Sequence, residues 1–349
     1  MTSDLSALFQ SALKAAGRNA TLIKITPLVP EASTRRYYRL TLEDGSTVVG
    51  VEEDTATAIT NMPNVIAVQK FLHERGVAVP EIYFADPAAG VMLQQDLGDL
   101  SFNQALRENP GKTDNLYQDA IRHMFSWQRL ADDGQCPAFR LSFDVEKLMF
   151  EFEFFITHTL LGYYRAKLSE ADLSRLRAQF LKIAEALAAP EHKVFTHRDY
   201  HSRNILLVKP LMEPATPVPS PTDSTWRQHI IDFQDARMGL MQYDLCSLLC
   251  DAYAPLSPER RTKLLDFAFE NGKEIHRQTR GEFDHFWLVS AFQRTVKAMG
   301  TFGRQAALGR DDFAAYLNPA RQALREITAA SAELRSLAEP LENMAGSAP

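Results

Sequence analysis

Cysteine is scarce in this chain: only Cys136, Cys246 and Cys250 occur among 349 residues. An odd, sparse set argues against a disulfide framework and fits a reducing compartment. Cys246 and Cys250 stand one helical turn apart, but no further Cys or His falls at zinc-site spacing, so they read as buried helix cysteines. Long apolar runs are missing too. A membrane span needs about 18 consecutive apolar residues, and the richest stretch, 148–164, is interrupted by Glu151, Glu153 and His158. The opening MTSDLSALFQ has no basic segment ahead of an apolar core. No signal peptide and no membrane contact are therefore expected, and the expected location is cytoplasmic. Basic residues are in slight deficit, with 38 Lys and Arg against 44 Asp and Glu and a net charge of −6. That balance argues against nucleic acid as the main partner.

What remains is an ordinary globular composition, 45% hydrophobic and 23% charged, which excludes wholesale disorder. At roughly 150 residues per domain, the length suggests two domains or two lobes. Ser3 or Asp4 opens a helix with Leu5, Leu8, Phe9, Ala12 and Leu13 on one face. Residues 21–30 read as a strand. Tyr38, Leu40 and Leu42 alternate with Arg39 and Thr41, Asp44-Gly45 turns, and 47–51 runs β-branched, which predicts a hairpin. A helix is predicted over 59–76, with Val65, Val68, Phe71 and Leu72 inward and Gly76 as the stop, then strands at 79–84 and 91–95.

From residue 101 the pattern is helical, with helices predicted at 101–108, 113–132, 144–167 and 169–188. The aromatic run Phe150, Phe152, Phe154, Phe155, Tyr163 and Tyr164 is expected in the helical core. Short strands follow at Val194-Phe195, 205–208 and 229–233, and helices resume from Tyr243. The proline-rich segment 209–227 reads as a flexible insertion and 338–349 as a disordered tail. The expected organisation is α+β and bilobal: a β-rich lobe over 1–98, a helical lobe over 99–337, and a ligand cleft between them.

Chemistry concentrates in two strings, His197-Arg198-Asp199-Tyr200-His201-Ser202-Arg203-Asn204 and Asp232-Phe233-Gln234-Asp235. Asp199 follows a strand, where a carboxylate can project into a cleft. Asn204 opens the next strand, and Asp232 ends that strand's partner. One carboxylate for a hydroxyl proton and an Asn–Asp pair for a hard, oxygen-seeking cation are what phosphoryl transfer requires. His197 and His201 do not form a zinc motif, because Arg198 stands where H-E-x-x-H needs Glu. Gly111-Lys112-Thr113 is not a P-loop end, because position 106 is Leu106 rather than Gly. His197 reads as a structural, hydrogen-bonding residue of the loop.

The spacing H-x-D-x-x-x-x-N followed by D-F is similar to that of protein-kinase-like enzymes. Gln234 in place of Gly sets the chain apart from ordinary protein kinases, and the sequence resembles the aminoglycoside phosphotransferase/choline kinase family. The block Glu31-Ala32-Ser33-Thr34-Arg35-Arg36-Tyr37-Tyr38-Arg39 narrows the resemblance to the bacterial anomeric kinases for N-acetylmuramate and N-acetylglucosamine. So do Gln95-Asp96-Leu97-Gly98-Asp99, the 197–204 loop, and 232–237 followed by Tyr243-Asp244-Leu245.

The resemblance implies a protein-kinase-like fold and ATP-dependent phosphorylation of the anomeric hydroxyl of an amino sugar in cell-wall peptidoglycan recycling. Its cofactors would be ATP and Mg²⁺. It implies Asp199 as catalytic base and Asn204 and Asp232 as Mg²⁺ ligands. Ser33, Thr34, Arg35 and Arg36 would lie over the phosphates, and Gln94, Gln95, Asp96 and Leu97 beside adenine. Asp244 would brace the catalytic loop, and His201, Arg203, Gln234 and Asp235 would contact substrate. One departure stands out. The strand that carries a lysine in typical kinases reads Val48-Val49-Gly50-Val51-Glu52-Glu53. Arg35 or Arg36 is the expected substitute, since guanidinium binds phosphate bidentately. Two alternatives stay open: an aminoglycoside or other small-alcohol phosphotransferase, and a nucleotide-binding pseudokinase lacking that lysine.

Overall fold

A computed structural model describes residues 2–28, 35–209, 226–332 and 334–335. The expected tail at 338–349 lies outside these residues, as does the expected insertion apart from its ends. Helix α1 (Thr2–Ala15) precedes strands β1 (Leu22–Leu28), β2 (Arg36–Leu42) and β3 (Thr47–Glu52). Helix α2 (Thr55–Glu74) and strands β4 (Ile82–Asp86) and β5 (Val91–Gln95) follow. The five strands form one antiparallel sheet in the order β1-β2-β3-β5-β4.

Side-chain alternation divides the sheet between two apolar clusters. Leu40, Leu42, Val48 and Leu93 join Phe9 and Leu13 of α1 on one face, while Val49, Val51 and Met92 face the large core. Gly50 is required there, because a Cβ would sit 2.6 Å from Phe9 Cε1. Helix α2 starts four residues before the predicted position. The Asp54 carboxylate accepts from the backbone N–H of Ala56 and Thr57, an N-cap that fixes the first turn.

The remainder is mostly helical: α3 (Phe102–Glu108), α4 (Thr113–Gln128), α5 (Val145–Phe155) and α6 (Glu170–Ala188). Strands β6 (Val194–Thr196), β7 (Ile205–Val208), β8 (Arg227–Ile230) and β9 (Arg237–Gly239) then form two antiparallel pairs, β6-β9 and β7-β8. Helices α7 (Met241–Leu249), α8 (Pro258–Asn271), α9 (Lys273–His276), α10 (Arg280–Ala307), α11 (Asp311–Ala314) and α12 (Leu317–Ala330) complete the described chain. Helix α10 is the hub and packs against α5, α7, α11 and α12.

The predicted continuous helix 144–167 is instead α5 followed by a π-helix, Ile156–Tyr163. Thr159 Oγ1 donates to Met299 O of α10 at 2.7 Å, Gly303 lets the π-helix approach closely at Thr159, and Gly300 does the same for the end of α5. A periodicity search sees only apolar content there and cannot register the altered winding. Phe152 and Phe155 are fully buried, but Phe150 is 60% exposed, so the aromatic run is only partly core. Strand β9 was not predicted. At three residues it is too short to show alternation.

Candidate active site

The loop between β6 and β7 is held from behind by α7. Asp244 accepts from the backbone N–H of His197 at 2.8 Å, of Arg198 at 2.9 Å, and from Trp127 Nε1 at 3.1 Å. Burial raises the Asp244 carboxyl, and the neighbouring His197 and these donors offset it only in part. His197 Nε2 donates to Ile231 O at 2.9 Å, while Nδ1 accepts from Asp199 N–H at 3.3 Å. One imidazole thus ties the loop to the segment leading into Asp232. Asp251 accepts from Ser202 N–H at 2.9 Å, and Tyr200 OH donates to Ala120 O at 2.9 Å. These anchors hold Arg198 at φ 80° and Asp232 at φ 65°, left-handed conformations unusual for non-glycine residues.

The two strings meet on one wall of a cleft of about 500 Å³ between the sheet and the helical lobe. Asp199, Asn204 and Asp232 all line it. Asn204 Nδ2 donates to Asp199 O at 2.9 Å and lies 3.4 Å from Asp232 Oδ2. Gln234 Nε2 donates to Asp232 Oδ1 at 2.7 Å. Val49, Met92 and Leu97 on the sheet side face Leu206 and Ile231 across an apolar slot.

Two cations reach Asp199. Arg294 Nη2 lies 3.1 Å from Oδ1, and Lys297 Nζ contacts the same oxygen. Burial alone would raise this carboxyl, but Lys297, Arg198 and Arg294 outweigh it and hold it well below the usual carboxylate range. Arg198 in turn pairs with buried Glu151 at 3.1 Å and with Asp235 at 2.6 Å. Gln293 Nε2 donates to Glu151 at 2.8 Å. His201 lines the cleft and stays neutral, its pKa pushed down to about 3 by burial.

On the sheet side, Arg35 lines the cleft and its Nε lies 3.2 Å from Glu53 Oε2. Both side chains are nearly sealed, 9% and 2% exposed. The Arg35 guanidinium also hydrogen-bonds Tyr37. Arg36 goes elsewhere: it pairs with Glu52 at 2.9 Å, is 62% exposed, and is not part of the cleft lining. Gln94, Gln95, Asp96 and Leu97 line the cleft where β5 ends. The Asp96 carboxylate is engaged by Arg39, at 2.6 Å and 3.0 Å.

Gln234 and Asp235 reach the cleft lining, but Arg203 does not. Its guanidinium stacks 3.9 Å over the Tyr253 ring and donates to Tyr316 OH at 2.5 Å. Ser33 and Thr34 lie outside the described residues. Glu53, Glu151, Arg294 and Lys297 were not singled out from sequence. A signal existed for two of them: Arg294 and Lys297 interrupt an otherwise apolar stretch of α10, and buried charge without a function is rare.

The sequence profile of the phosphotransferase enzyme family matches residues 24–213, more than half of the chain. The chain belongs to that family. This phosphotransferase is 27% identical over 333 residues to an N-acetylmuramate/N-acetylglucosamine kinase of Neisseria meningitidis serogroup B, covering 92% of the chain and 91% of that protein. It is 28% identical to a Pseudomonas aeruginosa protein of the same name, covering 90% and 86%. Among solved structures, it superposes on the choline kinase LicA of Streptococcus pneumoniae with a TM-score of 0.60 at 11% identity, covering 93% and 99%. An ADP-bound aminoglycoside phosphotransferase APH(2'')-Ib gives 0.56 at 12% identity, covering 91% and 98%. The expected bilobal, protein-kinase-like architecture is therefore the observed one. Among the described residues, no helix is long and apolar enough to cross a membrane.

Proposed function

We propose that this phosphotransferase moves the γ-phosphoryl group of ATP to the anomeric hydroxyl of an N-acetylated amino sugar, N-acetylmuramate or N-acetylglucosamine. The convergence of Asp199, Asn204 and Asp232 on one cleft wall carries the reaction class. The names of the relatives supply the acceptor. The apolar slot beside Leu97 suits adenine, and Arg35 suits the phosphates that follow it.

Asp199 holds the acceptor hydroxyl in line with the γ-phosphorus. A bond forms from the acceptor oxygen to phosphorus as the bond from phosphorus to the β–γ bridging oxygen breaks. ADP leaves with that electron pair, and the hydroxyl proton passes to Asp199 and on to solvent. The carboxylate is a weak base here, since its cation partners stabilise the ionised form. An anomeric hydroxyl is more acidic than other sugar hydroxyls, so orientation supplies most of what is needed.

Asn204 and Asp232 would hold Mg²⁺. Among the described residues no cluster of three or more His, Cys, Asp or Glu could cage a metal. An Asn–Asp pair of oxygen donors fits a cation that completes its shell with water and substrate phosphates. When bound, that ion neutralises charge on the phosphates. The Arg35–Glu53 pair supports nucleotide binding in the absence of the strand lysine.

The test is ADP release by the purified protein with Mg·ATP and N-acetylmuramate, N-acetylglucosamine, glucosamine or kanamycin, with Asp199→Asn as control. Release that depends on an N-acetyl sugar, with a phosphorus NMR signal at the anomeric position, supports the reading. Turnover of kanamycin alone would replace it with an aminoglycoside kinase, and ATP binding without transfer to any acceptor with a pseudokinase.

A further inference from the structure

The cleft and a second, smaller chamber share a wall, and that wall contains Asp199. The chamber measures about 80 Å³, is lined by Ser247, Cys250, Arg294 and Thr295, and shares His201, Tyr253 and Thr301 with the cleft, so it adjoins that end of it. Asp199 and Lys297 line both spaces. Packing on its own therefore does not fix the carboxylate, because open volume borders it. Something else must choose which oxygen faces the acceptor.

Two ion pairs make that choice. Arg294 and Lys297 stand three residues apart on α10, on the face turned toward the catalytic loop, and both bind the same atom, Asp199 Oδ1. Arg294 is itself immobilised, since its Nε donates to Ser247 Oγ at 2.7 Å, and Ser247 Oγ in turn donates to Tyr243 O at 3.1 Å. Lys297 differs from it, because its side chain also reaches the open cleft. One helical turn further on, Thr301 lines the same end of the cleft, with Tyr253 and Phe313 beside it. That end lies on α10 and the helical lobe, away from the sheet residues assigned to the nucleotide, and offers aromatic faces and hydroxyls of the kind that hold a sugar ring.

We propose that Lys297 is the positioning residue of the acceptor end: with Arg294 it docks Asp199 Oδ1 and so presents Oδ2 to the acceptor hydroxyl. The proposal rests on Asp199 acting as the reading above assigns. Lys297 works through Asp199 and not by attacking or leaving. Its absence would leave Oδ1 on Arg294 alone, a single contact about which the carboxylate can pivot, and a misplacement of about 1 Å is enough to cost on the order of 100-fold in rate.

The charges around Lys297 are Asp199 and Arg198 of the loop, Glu151 of α5, and Arg294 on its own helix, with the neutral imidazole of His201 nearby. Burial lowers the lysine pKa to about 8, with Asp199 opposing the fall and Arg294 and Arg198 adding to it. Above that pH the ammonium loses its proton and the Asp199 contact weakens, so the orienting force has an alkaline limit.

The experiment compares wild type, Lys297→Met and Lys297→Arg in the full chain. ATP affinity is read by titration calorimetry and kcat by ADP release with the N-acetyl sugars, across pH 6 to 10. Crystal structures of wild type and Lys297→Met read the carboxylate directly and do not depend on turnover. The expected result is a kcat lower by about 100-fold in Lys297→Met with ATP affinity retained, and an Asp199 carboxylate rotated away from the cleft. Lys297→Arg restores most of the rate and shifts the alkaline limb of the wild type, near pH 8, upward. A kcat and pH profile unchanged in Lys297→Met, or an unmoved carboxylate in its crystal structure, overturns the proposal. A wild type inactive with every acceptor refutes the functional reading instead, and the crystallographic comparison still decides the role of Lys297.

Discussion

Arg35 and Glu53 form a buried ion pair in which the usual kinase polarity is reversed. The cation sits where the chain enters β2, and the acid sits just beyond β3, with 3.2 Å between Nε and Oε2. A strand lysine paired with a helix glutamate does the corresponding work in typical kinases. Here the strand end supplies the acid, and the arginine reaches the cleft from the neighbouring strand.

Arg35→Ala is expected to weaken ATP binding sharply, whereas Arg36→Ala, which breaks only an exposed pair with Glu52, should change stability by less than about 1 kcal/mol and leave ATP affinity alone. Glu53→Gln removes the carboxylate charge that faces the buried Arg35 guanidinium and should cost on the order of 3–5 kcal/mol. Gly90→Ala should act on the same pair, because a Cβ there would lie 2.2 Å from the Glu53 carbonyl oxygen at φ 67°. Calorimetric titration with ATP and thermal melts of the four variants check this. Equal effects of Arg35→Ala and Arg36→Ala would remove the distinction drawn between them.

Asp199→Asn is expected to lower turnover by at least about 100-fold while ATP still binds. Asn204→Ala and Asp232→Ala should raise the Mg²⁺ concentration needed for half-maximal rate. Magnesium titrations of ADP release separate the two classes. A wild-type magnesium requirement in Asp232→Ala would show that this carboxylate is not a ligand.

Asp244→Ala strips three donors, the His197 and Arg198 N–H groups and Trp127 Nε1, of their common acceptor. Each buried group left unmade costs about 1–3 kcal/mol. A large fall in Tm is expected, and Asp244→Asn, which keeps one acceptor oxygen, should recover part of it. Thermal denaturation of both variants measures the difference.

The protein should lose stability in mild acid. Burial pushes His123 and His201 down to about 3 and His229 down to about 4, against an ordinary value of 6.5. Below 6.5 the unfolded chain binds protons at these positions and the folded chain does not. The stability is therefore full above pH 6.5 and declines as pH falls toward 4. Urea midpoints measured between pH 7 and pH 4 read the slope, and His123→Gln and His229→Gln should each flatten it. A slope unchanged in both variants would assign the acid sensitivity elsewhere.

The hairpin of β2 and β3, the strand β5 and the helices flanking them were legible because each repeats a simple period over several residues. The π-helix after α5 was not, since its sequence keeps the apolar content of an ordinary helix and its close packing at Thr159 against Gly303 comes from a distant helix. The start of α2 was misplaced because the reading followed the apolar stripe from Ile59, whereas the Asp54 cap decides the first turn. Asp199, Asn204 and Asp232 were legible as a set, because a single loop and hairpin carry all three at short spacing. The stacking of Arg203 on Tyr253 and Tyr316 was not legible, since those rings lie 50 and more positions away.

The sequence by itself determined the family, the reaction class and the close grouping of Asp199, Asn204 and Asp232, because those depend on residue type at short, fixed intervals. Tertiary structure alone decided which arginine faces the cleft, what holds it there, and which cations contact Asp199. Arg35 and Arg36 are adjacent in sequence, and only the alternation of extended chain, with Glu53 on one side and Glu52 on the other, separates their surroundings. Lys297 comes from a helix 98 positions beyond Asp199. No local pattern encodes that contact, which exists because α10 packs through the centre of the helical lobe.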